Sequence, residues 1–152
     1  FFQISFGSHQ EGSYYHENQL MEDEEGGELL DYWFDKILQV IILLDSEADY
    51  VAFKEIETLN RWIDFTKKGD NVFINVAVDD TCQNNNLIIT EKYQFSYIEP
   101  LNYVLSYQAL KNQIMEVSEK FLIELEHINP DLCKTKMYKV LKQKLDIIQN
   151  YI

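Results

Sequence analysis

The sequence predicts an α+β fold, an antiparallel sheet of about four to six strands with one central helix and two C-terminal helices packed against it. Three patterns predict this class: one helical stretch before the middle of the chain, several alternating stretches within it, and two helical stretches after it. With 152 residues, the chain is expected to form a single domain, 1–152. It begins at Phe1 rather than at methionine, so the numbering can start inside a longer protein.

A short hairpin is expected at the amino end. Residues 1–6, FFQISF, alternate apolar and polar side chains as a half-buried strand does. Gly7 and Gly12 indicate turns after this strand. Residues 14–20 are predicted to pair back on it as a second strand.

The middle of the chain predicts the central helix and most of the sheet. Residues 28–44 have apolar side chains at helical spacing that nearly surround the second half of the helix, and Trp33 is expected in the core. Four strands are predicted to follow, at residues 50–57, 61–67, 71–78 and 87–98. The sequence KKGD supplies a glycine-containing hairpin turn before the third of them.

Two helices are predicted to end the chain. Ser106 is the expected N-cap of the first, and Asn129 with Pro130 is expected to cap and begin the second. The predicted core stripe of the first helix is Leu110, Ile114, Val117, Phe121 and Leu125. The residues at helical spacing in the second are Cys133, Met137, Val140, Leu141, Lys144 and Ile148.

Negative charge is concentrated near the amino end of the chain. The formal net charge is −13 at pH 7. Residues 1–60 contain 14 acidic and 2 basic side chains, a net charge of −12, whereas residues 61–152 contain 12 acidic and 11 basic side chains. A negative field repels nucleic acid and anionic membranes and attracts cationic partners. We therefore expect a cationic protein as the partner and no binding of nucleic acid or membrane.

The densest acidic stretch is MEDEEGGELLDYWFD, residues 21–35, which contains seven carboxylates and no cation. We predict that it forms a partner-binding surface together with three acids that follow it. The ten predicted residues are Glu22, Asp23, Glu24, Glu25, Glu28, Asp31, Asp35, Asp45, Glu47 and Asp49. A metal site is the alternative, but the stretch lacks the ligand register of an EF-hand. No metal and no other cofactor are predicted.

The last helix carries a basic segment, with lysines at positions 134, 136, 139, 142 and 144. These lysines usually form a solvated face, but they could also pair with acids of the amino-terminal half. Their charge of about +5 is too small to offset −12. An acidic surplus is therefore expected to remain.

Neither the apolar runs nor the cysteines predict a membrane or secreted protein. The longest apolar run, ILQVIILL at residues 37–44, is about half the length that a bilayer crossing needs, and no signal peptide is visible. Cys82 and Cys133 are too few for a disulfide scaffold and are predicted to be free thiols in a reducing cytoplasm. The sequence leaves the oligomeric state open.

No catalytic constellation is recognisable, and the chain is not predicted to be an enzyme. The histidines are His9, His16 and His127, and none of them lies in a metalloprotease motif or at zinc-ligand spacing. Cys82 lacks the cationic neighbours that lower the pKa of a nucleophilic thiol.

Tyr93, Phe95 and Tyr97 alternate along the predicted fourth strand and resemble a stacking face for single-stranded nucleic acid. Such a face needs surrounding cations, and only Lys92 is near. The interpretation that we favour for these aromatic residues is therefore a sheet core.

The run ELLDYWFDKILQVIILL…ETLNRWIDFTKKGDNVFINVAVDD…VLSYQALKNQIMEVSEKFLIEL resembles the immunity proteins, small acidic bacterial proteins encoded beside polymorphic or contact-dependent toxins. The resemblance covers about two-thirds of the chain. It implies a stoichiometric inhibitor that occludes a cognate toxin in the cytoplasm. It implies no particular site residues.

The charge distribution is compatible with that function on physical grounds. Toxins that attack nucleic acid are commonly cationic, because they bind phosphate, and a carboxylate-rich surface can mimic phosphate and steer association. Aromatic residues beside the acids could supply buried anchors, namely Tyr14, Tyr15, Tyr32 and Trp33, although a core position is favoured for Trp33. The predicted function is neutralisation of a toxin domain, with a nuclease as the expected target. The alternatives are a non-catalytic adaptor and an enzyme with an unrecognised site.

Overall fold

The computed structural model describes residues 3–6, 9–12, 30–56, 58–97 and 103–150, the first two ranges by their backbone alone. The chain divides into two compact units, Phe1–Leu30 and Asp31–Ile152. The larger unit contains the sheet and the helices that the sequence predicts.

The first unit contains a β-hairpin. Strand β1 (Gln3–Phe6) pairs antiparallel with β2 (His9–Gly12), with Phe6 opposite His9. The expected first strand is confirmed, and its partner in the described residues is β2. Only two residues, one of them glycine, separate β1 from β2, and such short connections favour tight hairpins. Residues 14–20 lie outside the described residues.

The second unit begins with the central helix and contains a five-stranded antiparallel sheet. Helix α1 spans Leu30–Asp45. The strands are β3 (Tyr50–Lys54), β4 (Arg61–Lys68), β5 (Asn71–Val78), β6 (Ile88–Ile89) and β7 (Tyr103–Ser106). Their order across the sheet is β6-β3-β4-β5-β7, and each neighbouring pair is antiparallel. The predicted α+β class is confirmed.

Side chains alternate between two faces of the sheet because successive residues of a strand point in opposite directions. On the helix face, Phe53 is fully buried and meets the edge of Trp33 of α1, with ring centroids 5.4 Å apart. Trp33 is thus a core residue, as expected. On the far face, Tyr50, Trp62 and small alanines of neighbouring strands form a second buried cluster.

The predicted strand at residues 87–98 is wrong over most of its length. Only Ile88 and Ile89 pair with β3, and a single bridge joins Ser96 to Val78 of β5. Between them, the chain leaves the sheet edge, and Phe95 packs on Trp62 with ring centroids 5.3 Å apart. The alternation of aromatic and polar residues here reflects packing onto the far face rather than strand pairing.

The chain closes with α2 (Tyr107–Ile128), a 3-10 helix (Pro130–Lys134) and α3 (Lys136–Asn150). The Ser106 hydroxyl accepts the Ala109 N–H at 3.5 Å, which confirms the predicted N-cap. The short strand β7 before it is a feature that the sequence analysis missed. Asn129 accepts the Asp131 N–H and caps the 3-10 helix rather than α3.

The buried stripes of both closing helices differ from the predicted ones. In α2 the buried residues are Tyr107, Leu110, Lys111, Ile114, Ser118 and Leu122, so two members of the predicted stripe, Leu110 and Ile114, are buried. Val117, predicted to be core, is 37% exposed. In α3 the buried residues are Tyr138, Leu141, Leu145 and Ile148. The burial of Ser118 in α2 is what the hydropathy pattern did not reveal.

None of the described helices combines the length and the apolar character that a membrane span requires.

The N-cap at Ser106 provides a test of the junction between β7 and α2. Ser106→Ala removes the oxygen that accepts the N–H of Ala109, so we expect the free energy of unfolding to fall by about 1 kcal/mol. Ser106→Asp keeps an acceptor and should retain most of that stability. Urea unfolding followed by far-UV circular dichroism measures both variants, and equal stability of Ser106→Ala and the parent protein would contradict the capping role.

Candidate functional site

The ten acidic residues predicted to bind a partner are divided by the structure into three groups. The first group lies outside the described residues and comprises Glu22, Asp23, Glu24, Glu25 and Glu28. The other five residues belong to α1 or to the turn that follows it. Two of those five are engaged inside the fold, and three are exposed to solvent.

Asp35 is engaged by lysines. Lys144 of α3 donates to its Oδ1 at 2.6 Å and to its backbone oxygen at 3.0 Å, and Lys36 donates to Oδ2 at 3.0 Å. Desolvation of the carboxyl opposes ionisation, but these two cations outweigh it and lower the pKa of Asp35. Its charge therefore ties α3 to α1 and contributes little to an external field.

Asp45 is engaged at the other end of α1. The Tyr107 hydroxyl donates to its Oδ1 at 2.7 Å, and Lys111 donates to its Oδ2 at 2.9 Å. Lys111 is only 4% exposed, so this ion pair is largely removed from water. A buried lysine without its carboxylate would be strongly unfavourable. Asp45 is thus a structural partner of α2.

The same network also includes contacts at the C-terminal end of α1. Lys67 of β4 donates to the backbone oxygen of Leu44 at 2.8 Å, where the helix dipole favours a cation. The Lys67 ammonium also lies 4.1 Å from the ring centroid of Tyr107. Strand β4 and helix α2 therefore fix the position at which α1 ends.

Asp31, Glu47 and Asp49 are exposed, and the described residues include no ion-pair partner for any of them. Asp31 lies in the first turn of α1, whereas Glu47 and Asp49 follow its last turn. A helix of 16 residues is ~24 Å long. The described free carboxylates therefore lie at two ends of α1 and do not form one patch.

The basic segment is only partly used inside the fold. Lys144 pairs with Asp35, and Lys134 pairs with its neighbour Asp131 at 2.7 Å. The remaining lysines of the segment, at positions 136, 139 and 142, are exposed and have no ion-pair partner among the described residues. Intramolecular pairing with the predicted acidic surface is thus limited, in the described part, to one lysine of this segment.

A buried carboxylate that the sequence analysis did not single out lies on the far face of the sheet. Asp64 of β4 is 1% exposed. The Tyr97 hydroxyl donates to its Oδ2 at 2.6 Å, and the Asn75 amide of β5 donates to its Oδ1 at 3.2 Å. The sequence signal was available, since Asp64 alternates with Trp62 on a strand that is buried on both faces.

The environment of Asp64 disfavours its charged form. Burial raises the pKa of Asp64, and the hydrogen bonds from Tyr97 and Asn75 offset only part of that effect. Burial and the hydrogen bond to Asp64 also raise the pKa of Tyr97. Between the pKa of Asp64 in the unfolded chain and its higher value in the fold, the folded state binds more protons. The contribution of Asp64 to stability is therefore full below the unfolded pKa and is lost as the pH rises through the folded pKa.

Carboxyl groups with raised pKa values occur at many active sites, but the position of Asp64 indicates a structural role. Both of its oxygens are engaged by Tyr97 and Asn75, and the carboxyl is shielded from solvent. Its main effect is to fasten the covering segment, residues 90–97, onto the far face. Phe95 on Trp62 supplies the apolar part of the same attachment.

A second hydrogen-bonded carboxylate, Asp79, orders the loop before the covering segment. Its side chain accepts from the backbone and hydroxyl of Thr81 and from the backbone N–H of Asn84. Desolvation opposes ionisation, but these donors outweigh it and lower the pKa of Asp79. Cys82 lies in this loop with its backbone at φ 52°, exposed and free.

An open pocket of about 330 Å³ lies beside this loop. Its lining includes the amide side chains of Gln83, Asn84 and Asn86 and the ring of Tyr93. Asp64 does not line it. His9 and His16, the histidines that an enzymatic interpretation would place with carboxylates, have side chains outside the described part of the chain.

Within the described ranges, no group of three or more histidine, cysteine, aspartate or glutamate side chains is placed to hold a metal ion. His127 is exposed near the end of α2, 4.0 Å from Glu124.

No protein-family model, curated protein or solved structure matches the chain.

The buried ion pair between Lys111 and Asp45 can be tested by substitution. Lys111→Met leaves the Asp45 carboxylate without its cation, so we expect the free energy of unfolding at pH 7 to fall by about 3 kcal/mol. Adding Asp45→Asn should recover part of this loss. The control is Lys120→Met, which breaks the exposed pair with Glu116 and should leave the free energy of unfolding nearly unchanged. Equal losses for the two lysine variants would contradict a structural role for Asp45.

The attachment of the covering segment predicts a pH-dependent effect. Tyr97→Phe removes a donor to the Asp64 carboxylate, so we expect the pKa of Asp64 to rise further and the free energy of unfolding at pH 7 to fall by about 1.5 kcal/mol. The loss should shrink as the pH falls below the pKa of Asp64 in the fold, where its carboxyl is protonated and uncharged. Urea unfolding between pH 3 and 8, followed by tryptophan fluorescence, measures this dependence.

Tyr93→Phe is the matched control, because the Tyr93 hydroxyl makes only a 3.4 Å contact with Thr81. It should change stability by less than about 0.5 kcal/mol at every pH. A pH-independent loss in Tyr97→Phe would show that the hydroxyl does not act through the charge of Asp64.

Proposed function

We propose that this chain is a non-catalytic protein that binds and neutralises a cationic protein, specifically a bacterial toxin domain such as a nuclease. The observation that carries the proposal is the uneven charge, −12 in residues 1–60 against −1 in the remainder. In the described part of that acidic region, ion pairs neutralise Asp35, Asp45 and Glu55. They leave Asp31, Glu47 and Asp49 exposed.

Uncompensated carboxylates on a folded surface lower its stability by mutual repulsion, so their retention calls for a compensating role. A positively charged partner relieves this repulsion on binding and is steered toward the surface before contact. For a nuclease, the carboxylates would occupy the groove that otherwise receives phosphate groups. Inhibition then follows from occlusion and requires no chemistry in the inhibitor.

The scaffold around α1 supports this mode of binding. Both ends of the helix are fixed by ion pairs and hydrogen bonds from the closing helices and from β4. The carboxylates beside those ends are therefore attached to an element that does not have to be ordered on binding. Preorganisation of this kind lowers the entropic cost of association.

A second candidate is a non-catalytic adaptor with an unrelated partner. The observation that favours it is the exposed lysines of α3, at positions 136, 139 and 142, which have no ion-pair partner in the described part of the chain. An acidic partner could bind there. The mass of the protein in solution and the identity of the neighbouring gene discriminate between the two candidates.

The first experiment is co-expression of the chain with the product of the gene immediately upstream. We expect the two proteins to purify as a complex of equal stoichiometry and the activity of the upstream protein to be lost in it. The proposal would be contradicted if the upstream protein does not bind the chain and contains no cationic domain.

The role of the acidic run in this complex is tested by neutralising four charges. Conversion of Glu22, Asp23, Glu24 and Glu25 to their amides should lower the association rate constant about tenfold at low salt and flatten its salt dependence. The matched control converts four exposed acids elsewhere, Glu119, Glu124, Asp131 and Asp146, and changes the net charge equally. Stopped-flow association measures both, and equal effects would assign steering to net charge rather than to the acidic run.

A further inference from the structure

Three large aliphatic side chains are exposed at the end of the sheet where β3 turns into β4. Leu59 is 83% exposed, Ile56 is 41% exposed, and Leu87 is 47% exposed. Single exposed aliphatic residues are common on soluble proteins and need no explanation. Several of them on one small surface are a feature of protein interfaces.

Backbone hydrogen bonds place these three residues on the same end of the sheet. The N–H of Lys54 donates to the oxygen of Leu87 at 3.0 Å, so Leu87 lies beside the last residue of β3. Ile56 follows two residues later, and Leu59 lies within the same hairpin loop. We name Ile56, Leu59 and Leu87 the hairpin patch.

The loop that carries the hairpin patch is held in place. The N–H of Glu55 donates to the oxygen of Arg61 at 3.0 Å, and the N–H of Asp79 donates to the oxygen of Asn60 at 2.9 Å. The N–H of Arg61 also donates to the hydroxyl of Thr58 at 3.1 Å. An exposed leucine on a fixed loop can be buried by a partner without the cost of ordering the loop.

A carboxylate and a concavity lie next to the hairpin patch. The Tyr32 hydroxyl of α1 donates to the backbone oxygen of Lys54 at 2.7 Å, which brings the first turn of α1, with exposed Asp31, to this end. On the other side, the Lys54 ammonium donates to the oxygen of Asn84 at 3.3 Å, and Asn84 lines the open pocket. Hydrogen bonds of Lys54 therefore link the end of β3 that carries the hairpin patch to the first turn of α1 and to the pocket.

We propose that the hairpin patch is the apolar anchor of the interface with a cationic protein partner. The occupant would place an apolar side chain against Leu59 and Leu87 and a lysine or arginine toward Asp31. This inference rests on the proposed function, because the positive charge of the partner is taken from it. A second copy of this chain is disfavoured as the occupant, since two molecules of net charge −13 repel each other.

Carboxylates and apolar anchors are expected to affect different rate constants of binding. Carboxylates outside the contact centre act mainly on the association rate, whereas buried apolar anchors act mainly on the dissociation rate. Burial of a leucine removes its apolar surface from water, and this stabilisation is lost when the complex dissociates. Loss of an anchor should therefore weaken binding at least about tenfold through faster dissociation.

The test uses a random 12-residue peptide library displayed on phage, selected against the immobilised full chain. We expect the enriched peptides to combine an apolar residue with lysine or arginine. Leu59→Ser and Leu87→Ser should each reduce the affinity of the synthesised peptides at least about tenfold, as measured by fluorescence anisotropy. Val104→Ser is the control, because Val104 is also 47% exposed but lies on β7 opposite Phe73, near the other end of β5.

The outcomes separate this inference from the proposed function. Enrichment of peptides that bind Leu59→Ser and the parent protein equally, or no enrichment at all, overturns the hairpin patch as an anchor. If basic peptides bind with salt-dependent affinity that Leu59→Ser does not change, the hairpin patch is not the anchor. The proposed acidic surface for a cationic partner would remain supported. Uncharged peptides that require Leu59 would support the anchor and contradict a cationic partner.

Discussion

The described fold depends on the ion pairs that hold helix α1 against the two closing helices. The helix has buried side chains almost all round, and its aromatic rings pack on Phe53 of β3 and on Phe121 of α2. Each closing helix also supplies a lysine to a carboxylate of α1, Lys144 to Asp35 and Lys111 to Asp45. Apolar packing brings these elements together, and the ion pairs specify how they align.

The same pairs explain why a large negative charge does not prevent folding. The cations of the carboxy-terminal part neutralise carboxylates where burial makes neutralisation necessary. They leave the exposed acids at the two ends of α1 without compensation in the described part of the chain. In the described part of the acidic region, the charges of Asp31, Glu47 and Asp49 are thus at the surface, where water and salt screen them.

The amphipathic patterns predicted the order and type of most elements, since periods of two and 3.6 residues determine which side chains can be buried together. Strand β5 and helix α1 followed directly from such patterns. The strand prediction for residues 87–98 was wrong because their alternation arises from packing on Trp62 and Asp64. This is a tertiary effect that no local period encodes. The partners of Asp35 and Asp45 lie 109 and 66 positions away in the chain, beyond the reach of sequence spacing.

The candidate site was predictable in composition rather than in geometry. The acidic surplus was evident from counting residues, but the commitment of Asp35 and Asp45 to internal pairs was not. The hairpin patch also escaped sequence analysis, because Ile56 and Leu59 occupy a loop, where neither helical nor strand periodicity marks a side chain as exposed.

The central claim is that the amino-terminal carboxylates face a positively charged protein. Carbodiimide labelling of carboxyl groups, read by mass spectrometry with and without the product of the upstream gene, tests it most directly. We expect the complex to protect Glu22 to Glu25 and Asp31, while Glu124, Asp131 and Asp146 are labelled as before. Unchanged labelling of the amino-terminal carboxylates in a formed complex would contradict the claim.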